Sequence, residues 1–326
     1  MSRHVRFDLG DMLRGGGHHG HSHKKQAPKH VKEDSHFTFV KALSKQAGGD
    51  TGALNGGIFI VRSKGSGALC VEKRFTREDV KGLHAKREVN YLRKLRGHPN
   101  ISHLKAYELD PGEVPRMVMT YYELGALDTL IDRYKRKDQF LPEGFLWRVF
   151  LDIAKALRFC VYGIRQEGDK ADPEWDTILH RDIKPGNIFL TSSGSLYPRS
   201  VLGDFGCGIS ESDITTALAR DERVSRQARA FAPPESPDYD RRSDVYQLGL
   251  VMHCLSRLLR VPDHTVRSAP IKSIHGELLG QVVGACLRRN TSERESTFFL
   301  PGVVEKKTKE YLENHEPKTL ATWAFN

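Results

Sequence analysis

Short runs in which apolar and polar side chains alternate occupy Phe37–Leu43, Ile58–Arg62 and Ala68–Phe75, with glycine-rich turns between them. A period of two puts successive side chains on opposite faces of a strand, and tight glycine connections suit antiparallel neighbours. The pattern then changes. Thr76 is placed to cap a helix running to about Arg96, with Glu78 and Asp79 in its first turn and Gly97 as its stop. Two more strands are expected near Leu104–Leu109 and Arg116–Tyr121.

Beyond Tyr121 the spacing becomes helical. Phe145, Val149, Phe150, Ile153, Leu157 and Val161 recur at close to the 3.6-residue period of a core-facing helix. Val245–Leu259 is apolar nearly all round, the signature of a helix buried on every side. The chain therefore reads as α+β, with a small antiparallel β lobe (37–121) carrying one helix, then a larger helical lobe (122–300) and a C-terminal helix or tail (301–326). Residues 1–36 are rich in Gly, His and Lys and nearly free of apolar periodicity, so they read as a disordered tail. Its His18, His19, His21 and His23 could take a divalent metal, but such runs lack the fixed geometry and supporting hydrogen bonds of a metal centre.

Composition narrows the partners. With 38% hydrophobic and 28% charged residues, the chain falls among globular proteins, and no apolar stretch approaches the roughly 18 residues needed to span a bilayer. The formal charge of +10 is spread along the sequence and interleaved with acids, so specific nucleic-acid binding is not expected. Cys70, Cys160, Cys207, Cys254 and Cys286 show no C-x-x-C spacing, which favours a reducing compartment, cytoplasmic or nuclear, without structural zinc.

The chemistry is concentrated in His180–Leu190, reading HRDIKPGNIFL, followed by Asp204-Phe205-Gly206. Six specified residues at fixed spacing are not a chance polar loop. These segments resemble the catalytic and magnesium loops of eukaryotic protein kinases of the serine/threonine type, and the wording of HRDIKPGNIFL is loosely similar to NIMA-related kinases. The resemblance covers roughly residues 37–300 and implies a bilobal kinase fold that uses ATP and Mg²⁺ to phosphorylate a protein substrate.

It also implies roles. Asp182 is the expected catalytic base, with Arg181 beside it; Lys184 reaches the γ-phosphate; Asn187 and Asp204 offer oxygens to Mg²⁺. Lys73 contacts the α/β-phosphates and pairs with Glu88. Glu88 shares a helix face with Leu92 and Leu95, and a carboxylate on an inward seam needs a partner. Leu92, Leu104, His180 and Phe205 fall at the positions whose packing aligns the lobes.

Gly52 and Gly57 match the outer glycines of the phosphate-covering loop, with Leu54 replacing the middle one; alternatively the loop is enlarged and starts near Ser44. His98-Pro99-Asn100-Ile101 resembles the turn after the regulatory helix. Met119 stands at the gatekeeper place, Tyr121 lies in the hinge, and Phe59 and Val71 are expected to cover one face of adenine with Phe189 on the other. Pro233-Pro234-Glu235 ends the activation segment, Arg294 is its buried partner, and Asp244 either supports the catalytic loop or caps a helix.

Lysine at position 184 is the serine/threonine pattern, and Gly186 puts no acid where arginine-selecting kinases often carry one. Ser225 is the candidate regulatory phosphosite, with Thr215 and Thr216 behind it. Two features depart from the family: Ala228 replaces a threonine that bonds the catalytic residues, and Pro233 replaces an alanine. These leave open a kinase-fold scaffold that binds partners with little phosphoryl transfer. A small-molecule kinase on the same fold is disfavoured by the Pro-Pro-Glu segment and Arg294. Cys207 reads as a small packing residue or a reactive thiol.

Overall fold

The computed structural model describes residues 36–43, 56–215 and 227–325. The expected strands form one antiparallel sheet of β1 (Phe37–Ala42), β2 (Gly57–Ser63), β3 (Leu69–Arg74), β4 (Leu104–Glu108) and β5 (Arg116–Thr120), in the order β1-β2-β3-β5-β4.

Register decides which side chains face the rest of the molecule, because directly opposed residues share a face. Ile58 lies opposite Lys73, Ile60 opposite Val71, Val71 opposite Met119 and Lys73 opposite Met117, so these residues make the inner face. Phe59 lies opposite Glu72, on the other face, where the Arg74 guanidinium sits 4.2 Å from its ring centroid. On that face Glu72 accepts from Arg74 Nε at 2.8 Å and Arg116 Nη1 at 3.2 Å.

The single helix expected from Thr76 to Arg96 is instead two, α1 (Arg77–Lys81) and α2 (His84–Lys94). Thr76 does cap the first: its hydroxyl accepts from Asp79 N at 3.1 Å, and Asp79 Oδ2 accepts from Thr76 N at 3.0 Å. The break falls at Gly82 and Leu83, the latter in left-handed conformation at φ +59° and 45% exposed. A Cβ on Gly82 would lie 2.8 Å from the His84 ring, so a larger residue there would have to push that ring aside. Restarting at His84 gives α2 its own phase, which buries Ala85, Glu88, Val89, Tyr91 and Leu92 together.

The helical lobe is built on α3 (Leu127–Arg136), α4 (Glu143–Tyr162), α6 (Ser243–Arg257) and α7 (Glu277–Cys286), with α5 (Glu211–Thr215) a short turn before the undescribed segment 216–226. As its sequence predicts, α6 is buried nearly all round. The last helix, α8 (Leu300–Asn314), packs on α4, with Lys155 and Glu305 3.7 Å apart between them. Residues 322–325 return to α3, where Trp323 meets the Tyr134 ring at 4.7 Å and Ala324 O accepts from Arg133 Nη1 at 3.0 Å.

Two short strand pairs frame the loops that carry the motifs. β6 (Ile178–Leu179) pairs β9 (Ile209–Ser210), and β7 (Ile188–Thr191) pairs β8 (Arg199–Leu202). The turn His98–Ile101 ties the β lobe to this framework: Asn100 Nδ2 donates to Ser200 O and Asn100 O accepts from Leu202 N, both at 2.9 Å. His98 stacks on Phe159 at 4.9 Å; burial, with Arg165 and Arg158 nearby, lowers its pKa to about 3 and keeps it neutral.

All five cysteines are buried free thiols. Among the described residues no helix is long and apolar enough to cross a membrane.

Candidate active site

The loop between β6 and β7 holds Arg181 at φ +66°, and Asp204 after β8 sits at φ +56°. Residues other than glycine rarely adopt this conformation, which costs about 1–3 kcal/mol each and persists only where the surroundings enforce it. For Arg181 the enforcement comes from α6. Asp244 accepts the backbone N–H groups of His180 at 2.7 Å and Arg181 at 2.8 Å, so it is more than a helix cap. Burial pushes its pKa up against the opposing pull of His180 and those backbone donors. Gln247, one helical turn on, accepts from Ile183 N at 3.0 Å and donates to Arg181 O at 3.0 Å. His180 bonds Gly203 O at 2.8 Å and meets Phe205 edge-on at 4.6 Å, joining the two loops.

Within this frame the polar side chains converge in two groups. Asp182 Oδ2 accepts from Lys184 Nζ at 2.9 Å and Asn187 Nδ2 at 3.1 Å, while its backbone O takes a second Asn187 Nδ2 bond at 2.8 Å. Its Oδ1 accepts the backbone N–H of Ala228 at 3.2 Å. This bond comes from the main chain, so it is made although residue 228 carries no hydroxyl. In the second group Lys73 Nζ lies 2.7 Å from Glu88 Oε1 and 2.9 Å from Asp204 Oδ1.

Electrostatics fixes the protonation of this second group. Burial alone would lower the Lys73 pKa, but Asp204 and Glu88 outweigh it and raise it, so the ammonium stays charged. Burial would raise Asp204, yet Lys73 holds it down to about 2. Lys184 is also raised, burial being outweighed by Asp182.

The donor set fits a hard divalent cation. Asp204 is an ionised carboxylate with 40% of its side chain exposed, and Asn187, its amide nitrogen committed to Asp182, has a neutral oxygen left to offer. Gly206 keeps the space open: a Cβ there would lie 3.2 Å from both Asp204 Oδ1 and Lys73 Nζ.

A protein kinase domain model matches residues 52–298. The chain belongs to the protein kinase family. It is 30% identical to the G2-specific protein kinase nimA of Emericella nidulans over 249 residues, 65% of this chain and 33% of that protein. It is 33% identical to the G2-specific protein kinase fin1 of Schizosaccharomyces pombe over 218 residues, 60% of this chain and 28% of that one. With the serine/threonine-protein kinase Nek2 of Mus musculus the identity is 30% over 209 residues, 61% and 43% respectively. The match thus spans less than half the length of these relatives.

The sheet brings part of the expected nucleotide slot together. Val71 and Met119 are fully buried on the sheet's inner face with Lys73, and Phe189, on β7, is fully buried and stacked on Tyr122 at 5.8 Å. Tyr121 follows β5, half-buried. Phe59 is not part of the slot: the register turns it to the outer face and puts Ile58 beside Lys73 instead. Gly57 opens β2 at φ +124°, with the Phe59 ring 2.7 Å from where its Cβ would be. Gly52 and the alternative loop start near Ser44 lie outside the described residues, as do Ser225, Thr216 and the histidine run of the tail.

Arg181 Nε donates to Cys207 O at 2.8 Å, and Cys207 is buried. Glu235 and Arg294 form the expected buried pair, at 2.7 and 3.0 Å.

Two contacts escaped the sequence. Gly186 does lack an acid of its own, but the Asp128 carboxylate, from α3, reaches over it, 3.3 Å from where a Cβ would stand. Tyr91 on α2 donates its hydroxyl to Asp213 on α5, joining the Glu88 helix to the segment after Gly206.

Proposed function

We propose that this chain is an active protein serine/threonine kinase that transfers the γ-phosphate of Mg-ATP to a protein hydroxyl. One observation supports the reading above others: Lys73 is bonded to Glu88 and Asp204 at once, while Lys184 and Asn187 both hold Asp182. This is the arrangement phosphoryl transfer needs, charged groups pre-placed around the reacting atoms with little motion left to make.

Bound ATP supplies the transferable phosphoryl group and Mg²⁺ neutralises its charge. Lys73, steadied by Glu88, would bind the α/β-phosphates; Asn187 and Asp204 would hold the metal; Ile58, Val71, Met119 and Phe189 would line the adenine slot. Lys184 meets the γ-phosphate. Asp182 orients the substrate hydroxyl and takes its proton.

Incubating the full chain with γ-labelled ATP, Mg²⁺ and a generic basic protein is expected to put label on serine and threonine, and chelating the metal to abolish it. Background-level label with the protein folded would leave the scaffold reading; label on tyrosine would overturn the substrate class.

Asp128 adds a preference. A half-buried carboxylate over Gly186, next to the catalytic loop, attracts a basic side chain lying N-terminal to the target hydroxyl. Asp128→Ala is expected to lower kcat/KM about fivefold, roughly 1 kcal/mol, for a peptide with arginine there. A matched peptide with alanine should be unaffected. Equal losses on both peptides would refute the assignment.

A further inference from the structure

Away from the catalytic loops, a cavity of about 250 Å³ opens between α6, α7 and the end of the activation segment. Pro234, Tyr246, Leu287 and the arginines 267, 288 and 289 line it, and no carboxylate does. None of the three arginine side chains pairs with a carboxylate among the described residues. The neighbouring acid is already taken: Glu235 is held by Arg294, whose guanidinium also lies 4.9 Å from the Tyr246 ring centroid. Three uncompensated guanidinium groups around one hollow make a concentrated positive field.

Tyr246 is the second, independent sign. It is only 7% exposed, it lines the cavity, and its hydroxyl makes no hydrogen bond among the described residues. Its oxygen is not among the side-chain atoms sealed from solvent, so the hydroxyl is open to donate to a group that enters the hollow. Burial raises the Tyr246 pKa and Glu235 adds to the rise, while Arg267, Arg294 and Arg289 pull the other way. The hydroxyl therefore remains a donor.

We infer that this cavity is a docking site for a phosphoserine or phosphothreonine side chain carried by a protein partner, bound by Arg267, Arg288, Arg289 and the Tyr246 hydroxyl. The donor set suits a dianion: guanidinium forks match phosphate oxygens, and the phenol adds a neutral donor. Size favours a side chain over a free nucleotide, since pockets for whole small-molecule ligands run from about 300 Å³ upward. The apolar walls of Pro234 and Leu287 suit the carbon stem that carries the phosphate. The site lies beside Pro233-Pro234-Glu235, so a protein held there is also held against the kinase lobe that ends the activation segment.

The test uses the full chain without nucleotide, so it does not depend on phosphoryl transfer and its failure leaves the proposed activity standing. Fluorescence anisotropy would follow a degenerate peptide library with a fixed central phosphoserine, beside the same library with serine. The phosphorylated library is expected to bind more tightly. Tyr246→Phe, which keeps the ring, should weaken it about tenfold. Arg267→Ala with Arg289→Ala should weaken it at least about thirtyfold.

Gly284→Leu is a third probe, because a Cβ at Gly284 meets nothing within 4 Å and the added side chain would fill the hollow. It should abolish phosphate-dependent binding with the melting temperature unchanged or raised, since leucine is the better helix former. Equal binding of the two libraries, or binding unmoved by these substitutions, would overturn the inference. So would inorganic phosphate or homopolymeric RNA competing as well as the phosphopeptides, which would make the cavity a general anion site.

Discussion

Replacing Asp182 by asparagine is expected to lower kcat for phosphoryl transfer by about 10³-fold, the scale on which positioned acid–base groups act. The isostere leaves volume unchanged but removes the acceptor. Asp182 Oδ2 now takes hydrogen bonds from Lys184 Nζ and Asn187 Nδ2, and Oδ1 takes the N–H of Ala228. An amide can satisfy only one side of that set. Turned so that its oxygen meets Ala228, it points an NH₂ at two other donors; turned the other way, it faces the Ala228 N–H with one. Either choice costs about 1–3 kcal/mol locally, well short of unfolding a domain. The KM for ATP should stay within about threefold, because Lys73, Glu88 and Asp204 are untouched and form their own group. Transfer by the folded variant at the wild-type rate would remove Asp182 from the chemistry.

How far the site was legible in the sequence follows from how each residue is specified. Asp182, Lys184, Asn187 and Asp204 sit in short motifs whose spacing is the geometry, so naming them required no knowledge of packing. Lys73 and Glu88 were legible for a different reason: an acid on the buried seam of a helix needs a cation, and the last strand before that helix supplied one. Phe59 was misplaced because a strand's faces alternate residue by residue, so an error of one position in aligning the glycine turn exchanges inside for outside. Only the pairing of Ile58 with Lys73 settles it.

The break at Gly82 was hidden because Val80 and Leu83, three residues apart, keep helical spacing across it. Asp128 over Gly186, and the phenol of Tyr91 on Asp213, join segments far apart in the chain with no local pattern to announce them. The same holds for the arginine-lined cavity: Arg267, Arg288 and Arg289 read as ordinary surface charges until α6 and α7 bring them around Tyr246.

Arg294→Ala is expected to cost more stability than any surface change, about 3–5 kcal/mol, because it leaves a carboxylate in a largely buried place without its partner. The guanidinium is fully buried and makes a two-pronged pair with Glu235, Nη1 to Oε1 at 2.7 Å and Nη2 to Oε2 at 3.0 Å. Its remaining donors serve the main chain: Nη1 reaches Arg242 O at 2.9 Å and Nε reaches Arg288 O at 3.1 Å. One side chain thus fastens the end of the activation segment, the start of α6 and the turn after α7. At roughly 2 °C per kcal/mol for a domain of this size, the melting temperature should fall by about 6–10 °C.

Lysine at 294 would keep the charge and lose the fork, so Arg294→Lys should recover only part of the loss. The pH dependence checks the cause. Burial would raise the Glu235 pKa, but the bonds from Arg294 and Ser243 outweigh it and hold it below the usual glutamate value. A depressed folded-state pKa contributes stability that is present above the unfolded-state value and is lost as pH falls through the folded one. The wild-type advantage over Arg294→Ala should therefore be full at neutral pH and shrink on acidification below the ordinary glutamate range. A difference of under about 1 kcal/mol at neutral pH, or one that does not change with acid, would show that the pair does not carry this junction.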